Sequence, residues 1–79
     1  MKTFRLYSTS ACHLCELAED MIQRELNRGL DCRVEWLDIS ESDELFARYA
    51  TTIPVLQHPD GREMNWPFEE GELARFLRA

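Results

Sequence analysis

No run of apolar residues in this chain approaches the roughly 18 that a membrane-spanning helix needs. Met1-Lys2-Thr3 leads straight into a strand-like segment rather than a signal-peptide pattern. Positive charge is also short: 9 Lys and Arg stand against 15 Asp and Glu, a formal net charge of −6. Nucleic acids and anionic bilayers both demand a basic face, so neither is expected as a partner, and small anionic substrates are disfavoured on the same ground. Cysteine is scarce and odd in number, at Cys12, Cys15 and Cys32, which is not the pattern of a disulfide-stapled secreted domain. Repeats, low-complexity tracts and linker-like stretches are missing too. A chain of 79 residues is expected to form one domain, residues 1–79, around one modest core. The expected setting is cytoplasmic and reducing, where a CxxC is redox-active or metal-binding.

What is there reads as short elements in close succession. Thr3 to Ser8 alternates like a strand, with Phe4 and Leu6 on one face. Ser8-Thr9-Ser10 breaks it, and a helix is expected from Cys12 or His13 to a stop at Gly29. Leu14, Leu17, Ala18, Met21, Ile22 and Glu25 or Leu26 fall on one helical face. Acidic residues sit early in that helix and Arg24 and Arg28 late, as the helix dipole prefers. Asp31 to Asp38 reads as a second strand at a sheet edge, with Cys32, Val34 and Trp36 inward. Ser40 with Asp43 is the expected capping pair of a second helix, whose buried side would be Leu45, Phe46 and Tyr49. Ile53 to Gln57 starts a third strand, His58-Pro59-Asp60-Gly61 turns, and Arg62 to Trp66 returns as a hairpin. Glu69 to Arg78 is a last helix with Leu73, Phe76 and Leu77 inward. The order β-α-β-α-β-β-α implies an α/β fold in which a parallel crossover and a hairpin share a mixed four-stranded sheet.

The chemistry concentrates at Cys12 and Cys15. Two cysteines at i and i+3 in a first helical turn have Cα atoms on the order of 5–6 Å apart, within disulfide range. A thiolate at the helix start, where backbone N–H groups lack partners, is favoured by about 0.3–1 kcal/mol. Cys12 is therefore expected to be a moderately acidic, attacking thiol, helped by a protonated His13 and opposed by Glu16. Cys15, one turn deeper, would resolve the mixed disulfide. Zinc held by Cys12, Cys15, Cys32 and one of His13 or His58 is the competing use of these residues, although a second paired ligand group is missing. Taken singly, Cys32, Trp36 and Phe46 read as core residues, and His58 as a solvated turn residue.

Tyr7-Ser8, then Cys12-His13-Leu14-Cys15, then Thr52-Ile53-Pro54 resemble the glutaredoxin branch of the thioredoxin superfamily, and more narrowly its small bacterial glutaredoxin-like proteins. The resemblance spans nearly the whole chain in element order and implies a thioredoxin-like fold. It implies that Pro54 is a cis proline against the active-site sulfurs, leaving the Ile53 backbone groups free to pair with an extended substrate; His13, next to Cys12, is the further candidate substrate-binding residue beside Ile53 and Pro54. From the glutathione-using glutaredoxins the chain departs. Thr9 stands where they carry lysine, and His13 where they carry proline. Asn65-Trp66-Pro67-Phe68-Glu69-Glu70 replaces their Gly-Gly loop. Pro67 has no N–H to offer, and Glu69 and Glu70 would repel glutathione's carboxylates. Trp66 resembles the loop of redoxins served by thioredoxin reductase.

Two functional readings follow. In the first, the chain is a monomeric thiol–disulfide oxidoreductase with no cofactor expected, glutathione being the one candidate, and it passes electrons from a thiol reductant or reductase to protein disulfides through Cys12 and Cys15. In the second, it is a non-catalytic binding or structural module of the same fold, in which either the cysteines hold a metal or the acidic surface docks a partner.

Overall fold

The computed structural model describes residues 1–79. In chain order it has β1 (Lys2–Ser8), α1 (His13–Leu26), β2 (Cys32–Asp38), a 3₁₀ turn (Ile39–Glu41), α2 (Asp43–Tyr49), β3 (Val55–Gln57), β4 (Glu63–Asn65) and α3 (Glu70–Arg78). The four strands make one mixed sheet in the order β2-β1-β3-β4. β1 runs parallel to β2 and antiparallel to β3, and β3 runs antiparallel to β4.

Alternation along β1 divides the core in two. Phe4 and Leu6 point to the face covered by α1 and α3, where they join Ala18, Ile22, Leu56, Leu73 and Leu77. Tyr7 points the other way and meets Val55, Ile39 and Tyr49 under α2. Each fully buried Leu or Phe on these faces contributes about 1.5–3 kcal/mol.

The sheet register decides which residues share an end. Ser8 pairs with Asp38, and Tyr7 with Val55, so Pro54 comes level with Ser8. The Trp66 N–H donates to the Pro54 carbonyl at 3.3 Å. Asp38, Ser8, Pro54 and Trp66 thus form a row across the end of the sheet from which the chain runs into α1. Lys2, paired with Cys32, marks the opposite end. There the Lys2 ammonium donates to the Arg78 carbonyl at 3.1 Å and also to that of Ala79.

Several expectations are corrected. The second helix is capped by Ser42, whose Oγ accepts the Leu45 N–H at 3.2 Å. Ser40 is taken instead by Asp38, whose Oδ1 accepts both its N–H and its hydroxyl and closes the 3₁₀ turn. The buried stripe of α1 is Cys15, Ala18, Ile22 and Glu25. Leu14 and Leu17, expected inside, are 46% and 38% exposed. Phe46 is 55% exposed because α2 turns only Tyr49 fully inward. Trp36, on the inward face of β2, is 44% exposed because β2 is the sheet edge. His58 is buried, not solvated. Its ring lies edge-on to Phe4 and Phe76, with centroids 5.0 and 5.8 Å away. Its Nδ1 accepts the Asp60 N–H at 3.0 Å, so the neutral ring carries its proton on Nε2 and donates it to the Ala79 carbonyl at 2.9 Å.

Candidate active site

β1 delivers the chain to its C-terminal end, and residues 9–11 turn it back into α1. Within that turn Ala11 has φ 55°, a left-handed conformation that L-residues other than Asn and Asp rarely adopt. Cys12 follows in extended conformation, φ −114° and ψ 104°, as the N-cap of α1. Ser, Thr, Asp and Asn usually fill that position because their oxygens accept the orphan amides of the first turn. Here sulfur does so: the Cys15 N–H points at Cys12 Sγ from 3.2 Å.

Cys12 and Cys15 are joined in a disulfide, their Cα atoms 5.2 Å apart. The two sulfurs sit in different surroundings. Cys15 is buried against the sheet, whereas Cys12 is half-buried at the helix tip. His13 is exposed, with Nδ1 3.9 Å from a Glu16 carboxylate oxygen.

Pro54 enters from β3. The Ile53–Pro54 bond is cis, and so is Trp66–Pro67. The loop before Pro54 hangs on one carbonyl: Tyr49 O accepts the Thr52 N–H at 2.9 Å, the Ile53 N–H at 3.1 Å and the Thr52 hydroxyl at 3.3 Å. The expectation that both Ile53 backbone groups are free is corrected here, because its N–H is committed to the end of α2. Tyr49 is held in turn by its Oη, which donates to Glu63 Oε2 at 2.5 Å. Burial, then the Glu63 bond, push the Tyr49 phenol far above its ordinary range.

Cys32 stands at the other end of the sheet. It pairs with Lys2 while Ser8 pairs with Asp38, six strand positions or roughly 20 Å away. Burial, opposed by the Lys2 charge, pushes its thiol up from the ordinary value. The four-ligand zinc set is therefore not assembled: Cys32 and the buried His58 lie away from Cys12, Cys15 and His13.

Some features of this end were not anticipated from sequence. Glu69 caps α3, its carboxylate accepting the Gly71 N–H at 3.0 Å and the Glu72 N–H at 2.8 Å. Those bonds hold its carboxyl below the usual value. Glu is not a preferred cap, so only its place directly before the helical stretch hints at the role. The Tyr49–Glu63 bond joins residues 14 apart and has no local signal.

A CxxC at the tip of α1, at the same end of a mixed sheet as a cis proline that opens β3, defines a protein of thioredoxin-like fold. The chain belongs to the family of the glutaredoxin-like domain (DUF836), whose model matches residues 3–78. It is similar to the protein XcR50 from X. campestris, at 31% identity and a TM-score of 0.77 to its X-ray structure, over 94% of this chain and 93% of that one. The solution structure of XcR50 agrees, with a TM-score of 0.76 over 98% of this chain and 92% of that one. Protein Ne2328 from Nitrosomonas europaea, 22% identical, shares the fold with a TM-score of 0.76 over 96% and 91% of the two chains. No protein of curated function matches the chain. No helix is long and apolar enough to cross a membrane.

Proposed function

We propose that this chain exchanges disulfides with protein substrates through Cys12 and Cys15. The observation that carries the reading is Cys12 Sγ at the N-cap of α1, accepting the Cys15 amide at 3.2 Å within bonding reach of the Cys15 sulfur. A thiolate at that point gains a hydrogen bond and the favourable end of the helix dipole.

In the reduced chain, Cys12 as thiolate attacks one sulfur of a partner disulfide. The S–S bond breaks, a mixed disulfide forms, and the displaced partner sulfur leaves as a thiolate that takes a proton from solvent. Cys15 then loses its proton and attacks Cys12 Sγ, releasing the second partner thiol and closing the Cys12–Cys15 bond. Two electrons have passed from the chain to the partner, and a thiol reductant or reductase must return them. In this reading His13 and the Ile53–Pro54 segment touch the substrate, the Ile53 carbonyl being the group offered to an extended chain.

The start of α3 speaks against glutathione as a bound co-substrate. The donors at the start of α3 that would hold its carboxylate are already taken by Glu69, itself an anion.

Insulin reduction driven by dithiothreitol tests the proposal. The wild type is expected to accelerate it and Cys12→Ser to abolish the acceleration, while Cys15→Ser accumulates a covalent complex that dithiothreitol releases. Activity surviving Cys12→Ser would end the reading.

A further inference from the structure

Resting on the exchange reading above, we infer that the partner whose disulfide meets Cys12 presents a positively charged, partly apolar surface. The charges on this chain are sorted by position. At the end marked by Ser8, Asp38 begins an acidic run continued by Glu41, Asp43 and Glu44, and Glu16 stands in the first turn of α1. Against these five carboxylates the segments reaching that end carry one guanidinium, Arg48. Its charge is drawn over the Tyr49 ring, 5.5 Å from the centroid. The remaining Lys and Arg are Lys2 and Arg5 along β1, Arg33 at the start of β2, Arg24 and Arg28 toward the far end of α1, Arg62 in the turn before β4, and Arg75 and Arg78 toward the far end of α3.

The same end offers an uncovered apolar helix face. Leu14 lies between the two cysteines and Leu17 one turn beyond it, each with more than a third of its surface exposed. A partner chain laid over α1 at Cys12 would cover the leucines and bring its flanking charges over the carboxylates. A protein disulfide flanked by Lys or Arg has the right sign for that field, and an anionic one such as oxidised glutathione has the wrong sign. Fields of this kind change encounter rates by about 10 to 10³ and fall steeply with salt.

Stopped-flow oxidation of the reduced protein by three small disulfides tests this. Cystamine is a dication, 2-hydroxyethyl disulfide is neutral, and 3,3′-dithiodipropionate is a dianion. Each rate is divided by that of dithiothreitol with the same compound, which removes intrinsic reactivity. At low salt the ratios are expected to run cation, neutral, anion, spanning at least about tenfold, and to converge at 1 M salt, where the screening length is about 3 Å. The triple variant Glu41→Gln, Asp43→Asn, Glu44→Gln should narrow the span and leave the neutral ratio unchanged. Leu17→Ser should slow insulin reduction severalfold without altering the cystamine ratio. Equal ratios, or the reverse order, overturn the charge assignment while leaving the exchange reading intact. An unaffected insulin rate removes the leucines from the surface. Failure to react with all three compounds ends the exchange reading and this inference together.

Discussion

Tyr7 and Tyr49 stack with ring centroids 4.3 Å apart and planes 16° from parallel, fastening the end of α2 to the strand that leads to the disulfide. Tyr49 is the more heavily used of the two. Its ring packs, its hydroxyl holds Glu63, and its carbonyl gathers the Thr52 and Ile53 amides that precede Pro54.

Tyr49→Phe keeps the stack and removes one hydrogen bond to Glu63, whose exposed carboxylate keeps water and Gln57 Nε2 at 3.4 Å, so it is expected to cost about 0.5–1.5 kcal/mol; Tyr49→Ala also empties the site and should cost about 3–5 kcal/mol. Urea denaturation at pH 7 measures both. Tyr49 is an acid whose folded pKa is raised, by burial first and by Glu63 next. Its stabilisation is therefore complete below the unfolded phenol's value, about pH 10, and is lost as pH rises beyond it. The Phe variant should lack that part of the alkaline decline.

Glu25 is buried in α1, with Oε2 3.2 Å from the exposed Arg28 guanidinium and Oε1 without a partner. A stranded buried oxygen costs about 1–3 kcal/mol, so Glu25→Met is expected to raise stability by about 1 kcal/mol. A fall in the urea midpoint would show that the carboxylate has a partner in solution.

Asp38, Asp60 and Glu69 are all held below their ordinary pKa, chiefly by backbone amides that bond to their carboxylates: those of Ser40, Arg62 and Gly71 respectively. For a depressed carboxyl the stabilisation is present above the unfolded value, about pH 4, and is lost as pH falls through the folded one. The urea midpoint should therefore drop on acidification below about pH 4. Glu69→Gln should lower the midpoint at pH 7 and flatten that acid limb.

Ala11 holds a left-handed conformation, which costs an L-residue about 1–2 kcal/mol, whereas glycine is freer when unfolded by about 0.4–1 kcal/mol. Ala11→Gly is thus expected to be neutral or to stabilise by up to about 1 kcal/mol, and Ala11→Val to destabilise. An Ala11→Gly loss as large as that of an ordinary helix position would contradict the left-handed assignment.

The parts of this fold that are written locally were legible in the sequence. The alternation around Phe4 and Leu6, the stop at Gly29 and the Pro59-Asp60-Gly61 turn each depend on a few adjacent residues. So does the spacing of Cys12 and Cys15, which placed the candidate site at a strand-to-helix junction. Burial was less legible because it depends on which element arrives opposite. Leu14 and Leu17 have helical spacing, but the face that meets the sheet is set one residue away, at Cys15 and Ala18. Trp36 faces inward on a strand with no outer neighbour. His58 reads as a turn residue until α3 brings Phe76 and the Ala79 carbonyl against it. Ser40 and Ser42 could each cap α2, and the choice was made by Asp38, which engages the first.

Three sulfurs allow three pairings, and the sheet permits one. With Cys32 at the far margin of β2, a bond from it to Cys12 or Cys15 requires the strands to come apart first. Any Cys32-linked isomer found in a preparation would therefore date from before folding finished or after the fold was lost, and its abundance under mild oxidation is a clock for how often this small sheet opens.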